Sequence, residues 1–292
     1  MSDTTNTNLK EAKAVAYSAG LLSEMVLEEK KDDEGRDIIE GYLTVKTSDV
    51  NFVKYKAKAN KLTQDGKENS IYKGLQTCKE EYKTIKEVGE AEATQLIVKG
   101  KINAYTGRNG DVVNFQSNFF NRANRPLTTE DMKSEFEVEV YIKSLVPEVD
   151  TEGVETGAVI VHGWMPTYNG IEPIALKAPA TDGIADAVMD SYEAGQTVLF
   201  TGEIINNRIE HIKEIPMKIG KPKVEITYDY KNDMLITGAS EPYEDENAYD
   251  KDTVALAINV RNEKMAQRQN QTVTPAPQSR PSAQSKGRSL GF

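Results

Sequence analysis

The chain has 292 residues, 28% of them charged, with a mean hydropathy of −0.57 and a formal net charge of −10. That length allows two domains with cores of their own, and the single cysteine, Cys78, excludes a disulfide framework. No apolar run approaches the ~18 residues of a membrane-crossing helix, and MSDTTNTNLKEAK lacks the charged-then-apolar pattern of a secretory leader, so the expected location is the cytoplasm.

Charge is spread unevenly. Residues 36–125 hold 16 Lys/Arg against 11 Asp/Glu, whereas residues 126–219 hold 6 against 17. Such asymmetry signals a partner, and the basic half is the expected nucleic-acid face.

Residues 1–12 are polar and expected to be mobile. Residues 15–29 suit an opening strand, with an amphipathic helix as the alternative, and KKDDEGRD is a charged turn. Residues 38–46 and 51–60 alternate as strands. In the second, Val53, Tyr55, Ala57 and Ala59 share one face, and Phe52, Lys54, Lys56 and Lys58 the other. Asn69 or Ser70 then opens a helix in which Ile71, Leu75, Cys78 and Tyr82 keep helical spacing.

Residues 95–125, QLIVKGKINAYTGRNGDVVNFQSNFFNRANR, organise the chain. Leu96, Val98, Gly100, Ile102 and Ala104 alternate with Lys99, Lys101, Asn103 and Tyr105, and Asn109-Gly110 is a strong hairpin signal. The returning strand, 112–121, is expected to turn Val113, Phe115 and Phe119 inward, with Phe120 at a bulge or groove. Three strands, a helix and a closing hairpin are the element order of an OB-fold barrel.

After a linker at 123–130 the order repeats, with strands at 135–146, 157–167 and 171–178, a short helix at 182–193 and a strand at 197–205. Laying IIEGYLTV on VIVHGWMPT sets Gly41 on Gly163 and Tyr42 on Trp164, and laying LIVKGKI on VLFTGEI sets Gly100 on Gly202. Strand glycines mark the bends of a tightly curled barrel, so the pattern reads as a duplication. Residues 223–230 and 234–237 look like two further strands that close or flank the second barrel. The expected fold is mainly β: two tandem OB-fold-like barrels, each with a short helix. The first, 13–125, is basic and nucleic-acid-binding; the second, 131–240, is acidic. An acidic segment and helix follow at 241–268, then a Gln-, Pro- and Ser-rich tail, 269–292, expected to be disordered with an apolar tip.

Catalysis has little to stand on. His162 and His211 sit in different elements, one cysteine cannot build a Cys/His zinc site, and neither a phosphate-binding glycine loop nor a dinucleotide motif is present. The carboxylates of 241–252 read as a solvated loop rather than a metal site. No catalytic residue, metal or cofactor is therefore expected, and the protein is expected not to be an enzyme. Binding is better supported, because single strands are held by a positive groove and by rings on which bases stack. Tyr42, Lys46, Phe52, Lys54, Lys56, Lys58, Lys99, Lys101, Tyr105 and Arg108 fall on the strands and hairpin that form an OB ligand face. Alternate lysines on a strand are equally what a solvated edge needs, and Trp164 in the acidic half suits packing better than base stacking.

The GKI-type strand, the Y-T-G-R-N-G turn, the returning strand and the Pro/Gln/Ser-rich tail with an apolar tip resemble the single-stranded DNA-binding proteins of bacteria and their phages. The length and tandem barrels are more similar to a phage-type version. In that family the tail ends in acidic residues before Pro-Phe; here Lys286-Gly287-Arg288 precede Ser289-Leu290-Gly291-Phe292, and the acidic run lies upstream. The resemblance implies a non-catalytic protein that coats single-stranded DNA in replication or recombination, in the host cytoplasm if phage-encoded. It implies Leu290 and Phe292 as a tip for replication or recombination partners, and allows a homo-oligomer. The alternatives are a phage tail or decoration protein and an OB-containing recombination nuclease.

Overall fold

The structure is a computed structural model that describes residues 9–107, 110–217 and 219–271. β1 (Ala14–Lys31), β2 (Asp37–Lys46) and β3 (Phe52–Asn60) form a meander, followed by α1 (Ser70–Glu81) and the short α2 (Ile85–Val88). β4 (Gln95–Gly107), β5 (Gly110–Gln116) and β6 (Phe120–Arg122) complete the first half. β1 is a strand throughout, not the helix its composition also allowed. α1 starts at the expected cap, where the Asn69 side chain accepts from the Ile71 N–H at 3.0 Å. It turns Tyr72, Leu75 and Cys78 into the core. The second half supplies β7 (Lys133–Val149), β8 (Glu155–Thr167), β9 (Gly170–Ala178), α3 (Ile184–Ser191), β10 (Thr197–Ile215), β11 (Lys223–Ala239) and α4 (Lys251–Gln271).

Each half closes on itself. The first runs β1-β2-β3-β5-β4 and back to β1, with β3 and β5 parallel; the second runs β7-β8-β9-β11-β10 and back to β7, with β9 and β11 parallel. These are two OB-type barrels. Closure puts Leu43, Val45, Tyr55, Leu96 and Val98 inside the first, and Phe136, Val138, Ile142, Leu176 and Phe200 inside the second. The one polar atom of Tyr55 is satisfied by Ser18 Oγ at 2.8 Å.

The barrels match in hydrogen-bond register. Ala16 pairs with Gly100, and Phe136 with Gly202. Leu22 pairs with Val45, and Ile142 with Gly163, each beside a bulge that precedes Glu24 or Ser144. Lys56 pairs with Gln116, and Lys177 with Leu235. Carried from ladder to ladder round the barrels, the correspondence closes on the Ala16–Phe136 equivalence from which it began. Gly100 and Gly202 therefore hold one place, and Lys56 and Lys177 another. Ala16 and Phe136, equivalent in this scheme, also pair with each other where antiparallel β1 and β7 join the barrels into one sheet. A pseudo-twofold axis passes between them.

This register corrects part of the sequence alignment. Gly163 takes the place of Val45 rather than Gly41, Trp164 that of Lys46, and the counterpart of Tyr42 is Ile160. The two glycines answer different close approaches: a Cβ at Gly41 would lie 1.8 Å from the Val26 carbonyl oxygen, and one at Gly163 would lie 2.0 Å from Val140 Cγ1. The expected strand 112–121 is also broken. Ser117 Oγ accepts from the Phe119 N–H and donates to the Lys99 carbonyl, and this turn reverses the alternation. Phe119 is consequently exposed and Phe120 buried. β10 continues past 205 to Ile215, and the two short strands expected at 223–237 are one long β11, so the second closing hairpin is a ribbon.

Two polar clusters fix the assembly. Asn51, in the β2–β3 turn, is 8% exposed and reaches into the second barrel. Its Nδ2 donates to Thr47 Oγ1, Ser134 Oγ and the Ile204 carbonyl at 2.9–3.0 Å, and its Oδ1 accepts from the Asn206 N–H at 2.7 Å. Glu139, also buried, accepts from the Lys13 N–H at 2.8 Å and from the hydroxyls of Tyr243 and Tyr249 at 3.3 and 3.2 Å. That pins the segment after β11, which is thus anchored by its tyrosines while its carboxylates face solvent. α4 buries Val254 and Ala257, and its Arg261 donates to Glu172 on β9 at 3.0 Å and to Thr106 Oγ1 on β4.

Candidate nucleic-acid interface

The outer faces of β2 and β3 carry most of the expected site residues. Tyr42 and Lys56 are cross-strand partners, as are Lys46 and Phe52. Lys54 Nζ sits 4.0 Å from the centre of the Tyr42 ring, a cation–π distance. Lys54, Lys56 and Lys58 are exposed, with Lys58 Nζ 3.4 Å from Glu40. Lys46 is occupied: its Nζ lies 2.6 Å from Glu90 and 3.3 Å from Asp49. Burial works against its charge, but the two carboxylates outweigh that and hold its pKa above the ordinary lysine value.

Phe52 carries a cation from the other barrel. The Arg208 guanidinium on β10 lies 4.3 Å from the Phe52 ring and 5.3 Å from that of Tyr228 on β11, and Tyr228 stands 6.5 Å from Tyr230. The Arg208 N–H donates to the Val50 carbonyl at 2.8 Å, which sets the base of the ribbon against the β2–β3 turn. Beyond this point the β10–β11 ribbon shows Ile212, Val224, Ile226 and Tyr230 to solvent.

Lys99 and Lys101 point outward from β4, and Lys101 lies in one hydrogen-bonded row with Gln116 and Lys56, so lysines flank β5 on both sides. Lys101 Nζ is 3.3 Å from Glu11. Tyr105 is exposed opposite Val112 near the hairpin end. Near the hairpin end, Thr106 is held by Arg261 of α4 and donates to Asp111. Arg108, Leu290 and Phe292 lie outside the described residues.

Between the barrels a cleft of about 530 Å³ is lined by Lys54, Lys56 and Asn114 from the first and by Ile160, Ala175, Lys177, Asn206 and Asn232 from the second. It opens directly beside the Tyr42–Lys54 pair. Among the described residues no group of three or more His, Cys, Asp or Glu could hold a metal ion.

The family whose sequence pattern matches is described as YorF, over residues 12–271, from just before β1 to the end of α4. The chain belongs to the YorF family. The YorF match thus takes in both barrels and the helix that straps them together. No curated protein matches the sequence. Among solved structures, the wild-type single-stranded DNA-binding protein from Thermus aquaticus is similar with a TM-score of 0.47 at 8% identity, covering 81% of this chain and 96% of that one. A deletion mutant of the same protein gives 0.49 at 9% identity, covering 81% and 98%.

Sequence reasoning missed Arg208, Tyr228, Tyr230 and Lys177. The signal for the two tyrosines was present, since Val224, Ile226, Tyr228 and Tyr230 alternate strictly in KVEITYDY. Arg208 had no local signal; only the crossing of the second hairpin onto the first barrel brings it to Phe52. Trp164 packs between Lys143 and Arg261, whose charges lie 5.6 and 5.5 Å from its ring, in line with a packing role. No helix among the described residues is long and apolar enough to cross a membrane.

Proposed function

We propose that the protein binds single-stranded DNA without a catalytic step, coating it during replication or recombination. Its contact surface is the outer wall of the first barrel together with the base of the β10–β11 ribbon. The observation that carries this reading is the run of surface rings with cations set over them: Tyr42 under Lys54, then Phe52 and Tyr228 sharing Arg208. A single strand offers an unpaired base face and a phosphate at every step, so alternating rings and cations match both, and each stacked base contributes about 1–3 kcal/mol. A duplex hides its base faces, and this wall has no helix placed to enter a groove. The net charge of −10 does not oppose binding, because the acidic excess belongs to the second half of the chain. Leu290 and Phe292 serve in this reading as the contact for replication or recombination proteins in the cytoplasm, the host's if the protein is phage-encoded.

A fluorescence titration with oligo-dT at two salt concentrations tests the reading. Binding that weakens steeply as salt rises is the expected result, because lysine contacts to phosphate release counterions. No binding at low salt would overturn it.

A further inference from the structure

We infer that the cleft between the two barrels is a nucleobase pocket, into which one base of a bound single strand turns while its backbone stays on the Lys54–Lys56 lip. The inference rests on the single-strand reading above and adds the second barrel to the binding site.

The pseudo-twofold axis makes the pocket. Lys54 and Ala175, Lys56 and Lys177, and Phe115 and Met234 hold equivalent places in the two barrels, and all six line this one cleft. The outer faces of β3 and β9 therefore look into a shared space. Phe115 and Met234, nearly buried, border it, and Ile160 and Ala175 add apolar lining. Asn114, Asn206 and Asn232 stand round it. A side-chain amide both donates and accepts, so three of them can meet the edge of any base. Apolar walls with a few convergent polar groups, in a space of about 530 Å³, match a small-ligand site.

The charges orient the ligand. Lys177 is engaged by Glu148 and largely covered, whereas Lys54 and Lys56 are exposed on the opposite lip. Asp111 and Asp233 also line the cleft; Asp111 receives the Thr106 hydroxyl, and Asp233 lies 3.6 Å from Lys231. Asp111 is exposed and Asp233 partly covered, and carboxylates on this side of the cleft repel a phosphate and tolerate a neutral base. The phosphates accordingly belong at Lys54 and Lys56, which carry the strand in from the Tyr42 wall.

The test fills the cleft without changing its charge. Ala175 is exposed, and Ala175→Trp places a ring where the base would sit. Oligo-dT should bind this variant about tenfold more weakly than wild type, the loss of roughly one stacked base. An abasic sugar-phosphate oligomer should bind both proteins alike. In parallel, oligo-dT carrying a photoreactive 5-iodouracil is cross-linked to the wild-type chain and the attached peptide mapped, a readout that does not depend on how the variant folds. A cross-link on β9, or on β11 at residues 232–234, supports the pocket. Cross-links confined to β2, β3 and the ribbon base at Arg208 and Tyr228, with Ala175→Trp binding as wild type does, overturn the pocket and leave the outer-wall reading intact. Failure of the wild-type protein to bind oligo-dT at low salt overturns both.

Discussion

Ala16 and Phe136 pair with each other across the β1–β7 ladder and hold the same place in their respective barrels, each opposite the glycine of a closing strand. A small residue thus meets a large one on the pseudo-axis, and the sheet continues through the junction with its hydrogen bonds intact. The consequence is an exchange of hairpins. The first barrel's closing hairpin is held by Arg261 of the second half, and the second barrel's ribbon lays Arg208 on Phe52 of the first. Two barrels tied in this way should behave as one cooperative unit, and the predictions below test that coupling and the surface it creates.

Asn51→Ala should lower stability by about 3 kcal/mol, shifting the thermal midpoint by about 6–12 °C. The substitution strands the Asn206 N–H and takes one of two partners from Ser134 Oγ and the Ile204 carbonyl, which keep their bond to each other; all three are groups of the second barrel, although the mutated residue belongs to the first. Differential scanning calorimetry should show one transition moving as a whole. Separate transitions for the two halves would show that the barrels unfold independently.

Gly202 and Gly74 should respond to alanine with opposite signs. A Cβ at Gly202 would lie 1.9 Å from the Leu235 carbonyl oxygen and 2.8 Å from the Phe136 ring, so β10 and β11 would have to separate. Gly202→Ala should cost at least about 3 kcal/mol, as forced overpacking of a core does. Gly74 lies exposed inside α1 with open space around it, and Gly74→Ala should stabilise by about 1 kcal/mol through helix propensity. Chemical denaturation of both variants measures the contrast; a tolerated Gly202→Ala would remove the close approach as the reason for a glycine there.

The barrel pattern was legible because its carriers are local: the 2-residue alternation in β2, β3 and β4, and the Asn69 cap. The Gly100–Gly202 match also survived, since both glycines admit the carbonyl of the same neighbouring position, Gln116 or Leu235. What failed depended on register. Gly41 and Gly163 look alike in sequence, but they relieve contacts with different neighbours, and no one-dimensional alignment separates those causes. The candidate site was half legible for the same reason. Tyr42, Phe52 and the β3 lysines follow from alternation alone, whereas Arg208 and the inter-barrel cleft exist only because β1 pairs with β7.

The binding wall should separate into electrostatic and stacking parts. Lys54→Glu with Lys56→Glu should weaken oligo-dT binding strongly at low salt and flatten the dependence of log K on log salt by roughly one unit per lysine lost. Tyr42→Ala should cost about 1–3 kcal/mol and leave that slope nearly unchanged. Arg208→Ala should do some of both, because its guanidinium also orders the Phe52 and Tyr228 rings. Titrations across a salt series, with far-UV spectra to confirm folding, distinguish the three. Equal slopes for all variants would move the phosphate contacts elsewhere.

Alkaline pH should destabilise this protein. Burial pushes the Cys78 thiol above its ordinary 9.0, and it pushes Tyr72, with Glu29 beside its hydroxyl, up to about 12. Burial likewise raises Tyr82 to about 12, helped by neighbouring Cys78, and holds Tyr55 and Tyr249 higher still. Raised folded values mean that the native state keeps protons the unfolded chain would release. The stability these groups contribute is therefore complete below pH 9.0 and declines as pH climbs through 10.0 towards about 12. Thermal midpoints taken up that range should fall progressively, and ultraviolet tyrosinate absorbance should appear in two stages, exposed phenols first and buried ones together with loss of the far-UV signal. A thiol reagent should label Cys78, 3% exposed, only in step with that second stage. Rapid labelling of the folded protein near neutral pH would contradict the burial on which the whole alkaline behaviour depends.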